Sequence, residues 1–190
     1  MSREKVNKQR LKNILKHKQE KKMETIKITN DTNNIDGLNF APVEFWKPLI
    51  TPLCQDFDLY ACIPKALQVL RNKFGTWWIN SAWRPNDNTA GPTAHIICPP
   101  AVDSQSAENW PVVMNQIREE LKNWRNSELI QDMLSIGVNC IIIEGSCLHV
   151  HYRTEYNSHP DDSKWPDGIY LGEWQPESGN PNGINTIYSI

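Results

Sequence analysis

Apolar positions recur in this chain with two distinct periods. From Leu59 to Phe74, Ile63, Leu67, Leu70 and Phe74 form a stripe of helical spacing that stops at Gly75, which predicts an amphipathic helix. Trp110, Val113, Ile117, Leu121 and Trp124 share one face of a second helix predicted over Ser106 to Arg125, with Pro111 in its first turn, where a missing N–H costs nothing. A third helix is predicted from Ser127 to Ile136, ending at Gly137. Between and after these, Thr76 to Ser81 is short, aromatic and β-branched and reads as a strand. Ala101-Val102-Asp103 begins another, and Val138 to Ile143 is a buried one. Cys147 to Arg153 alternates strictly, with Leu148, Val150 and Tyr152 on one side and His149, His151 and Arg153 on the other. Helices and strands come in runs without a strand–helix–strand rhythm, so the expected class is α+β, a small antiparallel sheet with flanking helices.

The remaining segments divide the chain. Residues 1–22 hold nine Lys/Arg against two Glu, although the whole chain has a net charge of −2, so a basic arm, expected to be flexible, precedes an acidic body. Residues 23–40, rich in Asn and Asp with a turn at Asp36–Gly37, read as a linker; 41–160 read as the domain, and 161–190 as a Pro/Gly/aromatic extension. The arm lacks an aromatic residue for base stacking, so nucleic acid is an expected partner only through residues 1–22, and attachment to a virion or another protein is the other use of that arm. No apolar run approaches the length of a membrane span. No hydrophobic signal-peptide core follows the basic start, which predicts cytoplasmic synthesis. The five cysteines contain no CxxC pair, against a zinc ribbon or a thioredoxin motif.

Candidate chemistry gathers on histidines and carboxylates. His95 and Asp103 flank the apolar loop Ile96–Val102, and His149 and His151 project from one strand face. Glu144 precedes them across the Gly145–Ser146 turn. Two imidazoles and a carboxylate suffice for a catalytic zinc that keeps one position open, with a nearby Glu to take a proton from water. His151 is an alternative to His149 as third ligand. A cysteine hydrolase built on Cys98 or Cys147 with a neighbouring His is a separate reading, weakened by the absence of an activating helix start or glycine context.

The order of Ser81-Ala82-Trp83-Arg84-Pro85, Thr93-Ala94-His95, Ala101-Val102-Asp103 and Leu148-His149-Val150 resembles the signature of the D-Ala-D-Ala carboxypeptidase and L-alanyl-D-glutamate endopeptidase family, zinc peptidases that share their fold with the hedgehog signalling domain. The resemblance spans Leu59 to Arg153. It implies Zn2+ held by His95, Asp103 and His149, with Glu144 as general base. It also implies that Arg84 or His151 stabilises the oxyanion or a substrate carboxylate, and that the substrate is a peptidoglycan stem peptide. Synthesis without a signal peptide then fits a phage-type endolysin acting on the cell wall after lysis, or a virion-associated hydrolase. The chain departs from the family pattern in three places: seven residues rather than six separate His95 from Asp103, with Cys98-Pro99-Pro100 replacing a glycine; the loop from Arg84 to His95 is short; and Cys147 stands where the family has an aromatic residue. These departures leave a non-catalytic relative, a virion structural or binding module, as the alternative. Trp83 is expected to line the substrate groove.

Overall fold

The computed structural model describes residues 23–29, 35, 38–45, 57–82, 100–152, 168–174 and 186–188. The basic arm, the Asp36–Gly37 turn and the loop carrying Trp83, Arg84, His95 and Cys98 lie outside the described residues.

Strands β1 (Thr25–Ile28) and β2 (Phe57–Tyr60) form a small antiparallel sheet. Helix α1 (Cys62–Phe74) follows, then β3 (Trp77–Ser81), β4 (Val102–Ser106), α2 (Trp110–Lys122), α3 (Glu128–Ile136), β5 (Cys140–Glu144), β6 (Cys147–His151), β7 (Tyr170–Trp174) and β8 (Thr186–Ile187). A 3-10 turn covers Pro42–Phe45. The second sheet has six strands in the order β3-β4-β6-β5-β7-β8. The protein is therefore α+β, as the pattern predicts, but its larger sheet is mixed rather than antiparallel: β7 runs parallel to β5, pairing Cys140 with Tyr170 and Glu144 with Trp174. Local patterning does not encode this direction, because both pair types use the same alternation of side chains.

Two helix starts differ from the sequence expectation, each for a local reason. The first helix begins at Cys62 rather than Leu59, because Phe57 and Leu59 are buried and Asp58 exposed with a period of two, which suits pairing with β1. The second begins at Trp110 rather than Ser106: Ser106 closes β4 opposite Trp77, and Pro111 falls in the first helical turn. The segments read as linker and extension contribute β1, β7 and β8, so the sheets draw on both flanks of the expected domain.

One face of the six-stranded sheet carries Val102, Ile141, Ile143, Leu148, Val150 and Leu171 into the core, where they meet the apolar stripes of the helices, including Leu67, Leu70, Ile117, Leu121 and Ile130. Helices α1 and α2 pack against β4, and α3 packs on α1. Ser127 caps α3 by accepting from the Ile130 N–H (3.1 Å), and Gly137 ends it with φ +121. A side chain at Gly137 would also strike Met23, whose Cε lies 2.7 Å from the place of a Cβ.

Two polar ties lock the helices to each other and to the sheet. The Arg118 guanidinium on α2 donates from Nε to Glu173 on β7 at 2.8 Å and from Nη2 at 2.5 Å, and the Tyr188 hydroxyl donates to the same carboxylate at 3.1 Å. Burial and the Glu173 charge push the Tyr188 phenol up to about 12, which keeps it a donor. Glu120, near the end of α2, accepts from Lys73 Nζ (2.5 Å) and from the Ser127 hydroxyl (2.6 Å), and these bonds hold its carboxyl below the usual range.

Glu173 is only 5% exposed, so removing its cation leaves a buried charge uncompensated. Arg118→Met is expected to cost about 3 kcal/mol in urea unfolding, and Arg118→Met combined with Glu173→Met to recover much of that loss. A double variant as unstable as the single one would refute this account of the pair. Because its folded pKa is depressed, the Glu120 contribution is complete above the ordinary carboxylate range and is lost as pH falls through the folded value. Glu120→Gln should therefore lower stability by about 0.5 kcal/mol at pH 7, a figure already reduced for solvent screening. The gap to wild type should close in acid, read from thermal unfolding across pH.

Candidate metal centre

The face of the sheet opposite the helical core is built by the other half of each alternation. On β6 it presents Cys147, His149 and His151; on β4, Asp103; on β5, Cys140, Ile142 and Glu144. Antiparallel pairing sets Asp103 directly opposite His149, and the β5–β6 hairpin sets Glu144 directly opposite Cys147. Directly opposed residues share a face with their Cβ atoms about 5 Å apart, so the register alone brings all four side chains together.

The turn that makes this possible is two residues long. Gly145 has φ +49, and no non-glycine described residue has positive φ, the combination a II′ hairpin requires with glycine first. The turn is pinned from outside by Trp110, whose indole N–H donates to the Gly145 carbonyl at 3.3 Å. Trp110 in turn packs edge-on against the fully buried Trp77, 6.1 Å between ring centroids. The start of α2 thus fixes the hairpin end that carries Glu144 and Cys147.

His149 Nδ1 lies 3.1 Å from Asp103 Oδ1 and 3.5 Å from Glu144 Oε1. Ligand atoms of Asp103, Glu144 and Cys147 all lie within 4.8 Å of one another. Asp103, Cys147 and His149 are each 8% exposed, and Glu144 is partly buried. Two carboxylates this close in a water-poor setting oppose each other's charge, and a cation among them would offset both repulsion and lost hydration. Ser81 on β3 stands directly opposite Asp103, 6% exposed, and its buried Oγ has no hydrogen-bond partner among the described residues. Asp103, Glu144 and Cys147 thus offer two carboxylates and a thiol that could hold a metal ion, with the His149 imidazole against both carboxylates.

Of the residues expected from sequence, Asp103, His149 and Glu144 come together. His151 shares their face one step further along β6, opposite Cys140. It is fully buried, with its ring centroid 6.0 Å from that of His149 and nearly perpendicular to it. The imidazole against Asp103 is thus that of His149. His95 and Arg84 lie outside the described residues. The sequence reading passed over Cys147 as a donor. Its signal was nevertheless present, since the alternation that places His149 and His151 on one face places Cys147 there too.

Among the described residues no helix is long and apolar enough to cross a membrane. Comparison of the chain with protein-family models, with curated proteins and with solved structures returns no match.

Proposed function

We propose that the chain is a zinc-dependent peptidase acting on peptidoglycan stem peptides, of the kind carried by phage endolysins or virions. The observation that carries this reading is the Asp103–His149 contact at 3.1 Å, with the Glu144 carboxylate 3.5 Å from the same imidazole nitrogen. Two residues assigned as ligands and one assigned as base, spread over more than forty positions, meet at one place. The order of the Ser81–Pro85, His95, Asp103 and His149 motifs supports the same family of chemistry.

Asp103 and His149 would hold the ion, on adjacent strands whose pairing leaves them little freedom to separate. Zinc, when bound, supplies positive charge that polarises a peptide carbonyl and acidifies water. Glu144 takes the proton from the attacking water and passes it to the departing amine as the C–N bond breaks. The hairpin turn and its hydrogen bond to Trp110 hold that carboxylate in position, so little reorganisation accompanies the transfer. Burial of Asp103 and His149 keeps the surrounding dielectric low and strengthens each of these interactions.

Purified chain is expected to bind about one zinc per molecule and to release peptides from purified peptidoglycan. Glu144→Gln should keep the metal and lose about 10²–10⁴-fold in kcat, while His149→Ala should lower metal affinity by more than about 100-fold. Turnover unaffected by Glu144→Gln would remove the catalytic assignment, and zinc bound without any turnover would point instead to a binding module.

A further inference from the structure

Cys147 is the one chemically active side chain in this cluster to which the peptidase reading gives no task. It stands at the first position of β6, 8% exposed, directly opposite Glu144. Its sulfur lies within 4.8 Å of ligand atoms of both Asp103 and Glu144. We propose that Cys147 is a thiolate ligand of the same cation that Asp103 and His149 hold, making the centre a mixed oxygen, nitrogen and sulfur site.

Three observations converge on Cys147. First, it is distinguished from the other described thiols by its neighbours: Cys62 sits in α1 with its thiol pushed up to about 12 by burial, and Cys140 stands opposite His151 at the far end of the hairpin. Second, the charges match: one carboxylate and one thiolate neutralise a divalent ion, so the second carboxylate, Glu144, is not needed for charge balance and can receive a proton. The thiol proton passes to bulk buffer as the sulfur binds. Third, Asp103, Glu144 and Cys147 bring their ligand atoms within 4.8 Å of one another, and the His149 imidazole lies against both carboxylates. Sulfur in the set also selects against magnesium and calcium in favour of zinc-like ions.

This assignment rests on the reading of the cluster as a metal centre, and cobalt spectroscopy separates the two. The full-length chain, reduced with a phosphine, is titrated with Co(II) alone. One equivalent should produce visible d–d bands together with a near-ultraviolet sulfur-to-cobalt charge-transfer band. Cys147→Ser should abolish the charge-transfer band and keep the d–d bands, whereas Cys140→Ser and Cys98→Ser should retain both. Should Cys147→Ser fail to fold, X-ray absorption of the zinc-loaded wild type decides, with a sulfur neighbour expected at about 2.3 Å. Cobalt bound with d–d bands alone, a zinc shell of nitrogen and oxygen only, or a charge-transfer band that survives Cys147→Ser would overturn the thiolate ligand and leave the metal centre standing. A chain that binds no cobalt or zinc would overturn both.

Discussion

The pairing of β4 with β6 is the constraint on which the rest depends. It sets Asp103 against His149 on one face, and on the other it sets Val102 against Val150 and Ser104 against Leu148 in the core. Because side chains alternate with a period of two, a slip of one residue would carry the acid and the imidazole into the helical core and expose the valines. The hydrophobic effect that buries the apolar face therefore also fixes which polar residues meet on the opposite one. The register of the site needs no polar contribution of its own.

What surrounds this pairing serves to hold it still. The β5–β6 hairpin adds Glu144 and Cys147 through a turn that only a glycine at its first position accommodates without strain. Helix α2 is tied to the sheet at two points, at its start through Trp110 on the hairpin turn and past its middle through Arg118 on β7. A helix so anchored leaves the hairpin little room to move, which suits side chains that must meet within tenths of an ångström to share an ion. The cost is a second buried charge pair, Arg118 with Glu173, whose desolvation is offset only because the guanidinium meets the carboxylate at both oxygens and Tyr188 adds a third donor.

Much of this was legible along the chain, for identifiable reasons. The stripes at Ile63, Leu67 and Leu70 and at Val113, Ile117 and Leu121 have helical spacing and are buried in helices. Ser127 and Gly137 bracket α3 because a hydroxyl satisfies free N–H groups and a glycine accepts positive φ. The alternation from Cys147 to His151 told which residues share a face. Two boundaries were misread where a periodic stripe ran on into a neighbouring strand: Leu59 fits the α1 spacing and also faces inward from β2, and Ser106 precedes α2 yet pairs with Trp77.

Local pattern by itself determined the α+β class, the helical faces, the strand faces and the list of residues with chemistry to offer, since each follows from short-range geometry repeated every two or 3.6 residues. Only the tertiary structure decided partners: that β7 joins β5 in parallel, that Thr25–Ile28 and Tyr170–Trp174 belong to the sheets, that His149 meets Asp103, and that Cys147 stands beside both carboxylates. Those outcomes depend on which distant strands lie side by side and in what register. That choice is made by the shared burial of whole faces, a quantity no single segment contains.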